Sequence, residues 1–175
     1  MSDALVYEAV SFAARAHQGQ FRKDGRTPYV AHVMRVGLVV RDVFGIADPD
    51  VLAAALLHDT IEDTPTDYDD IAEAFGPRVA GWVGTLTKDM RLPEPEREAA
   101  YAAVLAASPW QVRAVKLADV YDNLADSRTL TAGQQQRQTA KAAAMLAVLK
   151  SGLPAELVAA FAVVESRLER SALAE

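Results

Sequence analysis

The sequence contains no cysteine. This excludes disulfides and thiolate chemistry and leaves nitrogen and oxygen as the donors for any bound metal. Histidine occurs only three times and aromatic residues make up 7% of the chain. No apolar run reaches the ~20 residues that cross a bilayer, and Met1-Ser2-Asp3 carries no basic stretch ahead of an apolar one. A membrane span and a signal peptide are therefore not expected, and a cytoplasmic location is the simplest reading. Positive charge is in deficit, with 18 Lys and Arg against 24 Asp and Glu and a net charge of −6, which argues against a nucleic-acid-binding surface.

What is present is alanine and aliphatic side chains, with 51% of the 175 residues hydrophobic. Few aromatics and much alanine suit close-packed helices better than a sheet. Apolar spacing predicts a first helix over Asp3 to Gln18, stopped by Gly19. Thr27-Pro28 reads as an N-cap with proline at the first helical position, opening a helix to Phe44. Asp48-Pro49 repeats that pattern and opens a helix closed by Thr64-Pro65. Further helices are expected from Thr66 or Asp67 to Phe75, Pro77 to Lys88, Glu96 to Ala107, Pro109 to Ala125, Ala132 to Lys150 and Pro154 to Arg170. No strand alternation, repeat or linker stands out. The expectation is an all-α fold, one compact bundle of about eight to ten helices forming a single domain over residues 1–175. The alanine-rich helices from Ala132 onward either pack internally, the more common outcome, or form a homo-oligomeric interface.

Val51-Leu52-Ala53-Ala54-Ala55-Leu56-Leu57 should be buried, and His58-Asp59-Thr60-Ile61-Glu62-Asp63 follows it directly. Ionisable groups at the end of a buried helix are costly unless compensated, and a divalent metal is the strongest compensator available. On a continuous helix His58 and Glu62 lie one turn apart, as do Asp59 and Asp63. His17 and His32 flank the basic loop Arg22-Lys23-Asp24-Gly25-Arg26. That loop is read equally well as solvated or as a phosphate contact. Asp119 interrupts an apolar helix face, with Asn123 one turn later. Either an ion pair from Lys116 or Arg113, or metal ligation, would answer its burial. Together His32, His58, Asp59 and Asp119 would make a mixed nitrogen-oxygen site suited to manganese, iron, cobalt or zinc. Such a metal lowers the pKa of bound water and polarises a phosphoryl group. Glu62 and Asp63 are placed to orient or deprotonate that water.

These residues resemble the HD-domain phosphohydrolases, named for the histidine-aspartate pair. The similarity is closer to the alarmone hydrolases, which include the hydrolase domain of the bifunctional RelA/SpoT enzymes. It is carried by the segment Phe12 to His32, by Ala55 to Thr64, and by Phe75-Gly76, Leu86-Thr87-Lys88 and Lys116-Leu117-Ala118-Asp119, and it covers about Ala4 to Leu124. The resemblance implies hydrolysis of guanosine tetra- or pentaphosphate at the 3′ position, giving GDP or GTP and pyrophosphate. It implies one divalent metal, manganese first, on His32, His58, Asp59 and Asp119. It also implies catalytic roles for Glu62 and Asp63, nucleotide contacts from Arg22, Lys23 and Asn123, and a supporting role for His17. The expected partner is a small nucleotide, with no nucleic acid or membrane, and the length suits a hydrolase without a synthetase. The alternatives are an HD phosphohydrolase acting on a deoxynucleoside monophosphate or on the 2′-phosphate of NADPH, and a nucleotide-binding regulator without turnover.

Overall fold

The apolar run from Val51 to Leu57 is buried at every position, as a helix that is hydrophobic all round must be. It forms most of α3 (Pro49–Leu57), the axis around which α1 (Ser2–Ala16), α2 (Val30–Leu38), α5 (Tyr68–Leu86) and α7 (Trp110–Ala125) pack. Between α3 and α5 lies the short α4 (Thr60–Asp63). α8 (Ala132–Lys150) and α9 (Val158–Ala172) pack on α7 and on each other, and α6 (Glu94–Ala107) packs on α8 and α5. The computed structural model describes residues 2–173, the side chains of residues 2, 3, 128 and 129 excepted. Among the described residues there are nine α-helices and no strand beyond an isolated Phe21–Pro28 bridge, so the fold is all-α, as expected.

Local chemistry sets most boundaries where the sequence places them. Asp48 caps α3 by accepting from the Asp50 N–H at 2.9 Å, and Asp67 and Asp70 form a capping box at the start of α5. Gly76, at φ 83°, kinks α5 ahead of Pro77, in a conformation that side chains with a Cβ seldom adopt. At the crossing of α2 and α3 a Cβ on Gly37 would meet Leu56 at 3.3 Å, so glycine allows the close approach.

Several boundaries differ from the sequence reading, among them the end of the α-helical part of α2 at Leu38 and the start of α9 at Val158, and two of them shape the site. α2 begins at Val30, not at Thr27-Pro28. Asp24 holds the Thr27 hydroxyl at 2.6 Å and the N–H groups of Arg26 and Thr27 at 2.8 Å. The Thr27 carbonyl in turn accepts from Arg22 N–H at 2.8 Å, so Thr27 closes a loop and cannot cap a helix. The helix from Pro49 also does not run through to Thr64. It ends at Leu57, and the backbone bends at Asp59 (φ −100°, ψ −2°) before α4 starts.

Candidate active site

That bend brings three chain segments together. The Thr60 hydroxyl donates to the Leu57 carbonyl at 2.7 Å, satisfying one of the end carbonyls of α3. Asp59 is thereby turned toward His32 from α2 and Asp119 from α7. His32 Nε2 lies 3.5 Å from Asp59 Oδ2 and 3.3 Å from Asp119 Oδ1. His58 Nε2 lies 3.2 Å and 3.9 Å from the same two oxygens. His32, His58 and Asp59 each offer a ligand atom within 4.8 Å of the others. Asp119 faces both imidazoles but is also engaged, accepting from Asn123 at 2.5 Å and from Lys116 at 2.8 Å. The ion pair weighed for Asp119 is thus present and comes from Lys116. Arg113 instead donates to the carbonyls of Leu149, Ser151 and Gly152 at the end of α8.

The imidazoles are oriented from behind. His58 Nδ1 lies 2.8 Å from the Ala55 carbonyl. A carbonyl can only accept, so Nδ1 carries the hydrogen and Nε2 keeps its lone pair in the neutral ring. That Nε2 is buried without a hydrogen-bond partner among the described residues. His32 Nδ1 lies 2.7 Å from Asp122, which also accepts from Arg35 at 2.6 and 3.0 Å. A carboxylate behind a histidine is the usual support of a metal ligand. An orphaned buried nitrogen beside carboxylates fits a divalent cation held by His32, His58 and Asp59, with Asp119 alongside.

The electrostatics point the same way. Burial opposes charge on His32, but hydrogen bonds to Asp119, Asp122 and Asp59 outweigh it and push the ring up to about 10. Burial also opposes charge on His58, yet Asp59 raises it. Burial would raise Asp59 and Asp119, but the histidines hold Asp59 low, and Lys116 followed by the histidines holds Asp119 low. The cluster therefore demands positive charge at its centre, supplied by protons or by a metal. Glu62 and Asp63 behave oppositely. Burial raises both, with help from the Asp59 charge, which suits groups that exchange protons.

His32, His58, Asp59, Glu62, Asp63, Lys116 and Asp119 line one polar chamber of about 180 Å³. Glu62 is fixed there by the Lys88 N–H at 2.9 Å. Asp63 accepts from the Tyr29 hydroxyl at 3.1 Å, and the same hydroxyl donates to Asp59 at 2.6 Å. Arg22 enters the chamber over the Tyr29 ring and donates to Asn123 at 2.9 Å and Asp126 at 3.0 Å. Lys23 lies apart, on a larger cleft of about 560 Å³ whose walls share Lys88, Lys116, Asp119 and Asn123 with the chamber. His17 stays behind Tyr29, ring centroids 4.8 Å apart, with Nδ1 on Gln20 at 2.8 Å.

Sequence reading missed Tyr29, Arg35 and Asp122 as parts of the site. Asp122 carried a usable signal, a second acid on the turn of α7 that begins at Asp119. Tyr29 carried none, because its role depends on a loop whose closure by Asp24 is not a periodic feature.

Known proteins resemble this chain in sequence and fold. The HD domain family matches residues 9–151. Guanosine-3′,5′-bis(diphosphate) 3′-pyrophosphohydrolase MESH1 of Drosophila melanogaster is 40% identical over 138 residues, 77% of this chain and 77% of the fly protein. The Homo sapiens protein of that name is 42% identical over 129 residues, 73% of this chain and 72% of its own length. A solved structure, described as a metazoan ortholog of SpoT that hydrolyzes ppGpp, superposes with a TM-score of 0.82 at 33% identity, covering 96% of this chain and 93% of that one. The clustered residues from His32 to Asp119 all fall inside the matched span, and the chain belongs to the HD domain family.

Proposed function

We propose that this chain hydrolyses the 3′-pyrophosphate of guanosine tetra- and pentaphosphate, releasing GDP or GTP and pyrophosphate. The observation that carries the reading is the convergence of two imidazoles and two carboxylates, with one imidazole nitrogen buried and unpartnered. The named relatives are 3′-pyrophosphohydrolases of the same nucleotide. His32, His58, Asp59 and Asp119 would hold one divalent cation, manganese in this reading. When bound, it supplies Lewis acidity toward a phosphoryl oxygen and toward water.

The remaining work belongs to the chain. Water adds to the 3′-linked phosphorus, the bond from that phosphorus to the ribose O3′ breaks, and O3′ leaves with a proton. Glu62 and Asp63, each raised by burial, orient the water, take its proton and return one to the departing oxygen. Tyr29 keeps Asp63 and Asp59 in register. Arg22 and Lys23 neutralise phosphate charge, and Asn123 offers both a donor and an acceptor to the ribose or base. A cleft of about 560 Å³ beside the chamber has room for a nucleoside, which favours this substrate over smaller monophosphates. Residues 1–175 act as one domain in this reading, on a small nucleotide in the cytoplasm. No helix among the described residues is long and apolar enough to cross a membrane.

The test is a nucleotide panel with purified protein and manganese, resolved by chromatography. Pyrophosphate release from guanosine tetraphosphate, without phosphate release from NADPH or deoxynucleoside monophosphates, is expected. The reverse pattern identifies a different phosphohydrolase, and tight binding without cleavage of any nucleotide identifies a regulator.

A further inference from the structure

The cleft beside the metal chamber has a charge that the chain as a whole does not. The protein carries a net charge of −6, yet the cleft is lined by Lys23, Lys88, Lys116, Arg137 and Lys141 against only Glu98 and Asp119. Two of those cations are spoken for, Lys88 by Glu98 at 2.8 Å and Lys116 by Asp119 at 2.8 Å. Lys23, Arg137 and Lys141 have no ion pair among the described residues. Glu98 feels the charge of Lys141, but its hydrogen bonds go to Lys88.

Arg137 and Lys141 sit four residues apart on α8, so their side chains emerge from one face, one above the other. That face is fixed in place at both ends. The Gln138 amide donates to the Asn123 backbone carbonyl, beside the chamber, and Arg113 binds the carbonyls that follow Val148 at the far end. Toward that far end the lining turns apolar at Met145 and Val148. Two exposed, unpaired cations stacked on a rigid face, one wall away from Asp119, make a receptor for a second anionic group on a ligand whose first anionic group lies in the chamber.

Resting on the function proposed above, we propose that Arg137 and Lys141 bind the 5′-diphosphate of the nucleotide whose 3′-diphosphate lies at the histidine-aspartate cluster. This gives α8 a part in substrate selection. The site takes nucleotides phosphorylated at both ends and discriminates against those with a free 5′-hydroxyl.

The experiment compares guanosine 3′,5′-bis(diphosphate) with guanosine 3′-diphosphate, using the full chain and its Arg137→Gln, Lys141→Gln and double variants. Both positions are exposed, so the variants fold, and unchanged thermal midpoints check that. Losing a charge-assisted phosphate contact raises KM for the 3′,5′ substrate about tenfold per residue, with kcat kept and with little change for the 5′-hydroxyl substrate. Equal loss on both substrates, or a loss confined to kcat, overturns the assignment. Calorimetric titration of both nucleotides into each variant on a Glu62→Gln background reads affinity without turnover. If the wild-type protein cleaves neither nucleotide but these variants selectively lose affinity for the 3′,5′ form, the hydrolase reading fails and the α8 site stands. Absence of any binding of the 3′,5′ nucleotide sinks both.

Discussion

Asp122 does not line the chamber, yet its replacement by asparagine should weaken metal binding in a pH-dependent way. Asp122 accepts from His32 at 2.7 Å and from Arg35 at 2.6 and 3.0 Å. Asparagine preserves the shape but has one accepting oxygen in place of two and presents N–H groups to donors. Losing a carboxylate behind a ligating histidine lowers metal affinity about 10- to 100-fold, or about 1.4 to 2.7 kcal/mol. A second effect works against this loss. Without metal, His32 holds a proton up to about pH 10, and Asp122 is one of the groups that keep it there. Metal must displace that proton, so affinity in the native protein climbs about one decade per pH unit between pH 7 and 9. In Asp122→Asn the proton is held less tightly and the climb is shallower. The deficit of the variant is therefore small near neutrality and widens toward the full 10- to 100-fold at alkaline pH. Manganese affinity measured by calorimetry from pH 6.5 to 9 checks this. A constant deficit, or one that narrows as pH rises, refutes the coupling of His32 to Asp122.

Other consequences follow from the same geometry. Asp59→Ala should lose metal and activity together, whereas Glu62→Gln, which keeps its bond to the Lys88 N–H, should keep metal and lose at least 100-fold in kcat, as expected for a proton-transfer group; equal metal loss in both contradicts that division of roles. Tyr29→Phe removes the hydroxyl shared by Asp59 and Asp63 and should lower kcat about tenfold while leaving the thermal midpoint within a few degrees; an unchanged pH-rate profile and kcat would show that the bridge is idle. In metal-free protein the folded-state pKa of His32 lies above its unfolded value. Its contribution to stability is thus complete below about pH 6.5 and is lost as pH rises through about 10. The stability gap between the chelated native protein and His32→Gln should close over that window by urea titration, and a gap that grows with pH reverses the sign.

Much of this was legible in the sequence because it is written in period and in isolated chemical contrast. Val51 to Leu57 announces a buried helix by having no polar face, and an acid such as Asp119 on an apolar face announces a partner. His58 directly after the buried run marks the end of that helix as a site. What failed to show was backbone geometry decided by side chains acting locally. Thr27-Pro28 has the composition of a helix start, but Asp24 holds Thr27 through two hydrogen bonds and the neighbouring Arg26 N–H through a third, and one good acceptor three residues upstream outweighs a propensity worth a few tenths of a kcal/mol. The same local chemistry ends α3 early. Thr60 bonds back to Leu57, so the continuous-helix spacing that pairs His58 with Glu62 does not hold past Leu57. Asp59 can face both histidines only because the chain departs from the helix there. A straight helix would carry His58 and Asp59 to faces about 100° apart, and the bend sets both within 4 Å of Asp119 or of each other. The site thus depends on a place where helical periodicity is broken, which is why the residues stand out in the sequence while their arrangement does not. Restoring helical continuity with Thr60→Ala, which removes the hydroxyl that holds the bend, should weaken manganese binding more than it lowers overall stability. Equal losses would mean that the bend is held by packing alone.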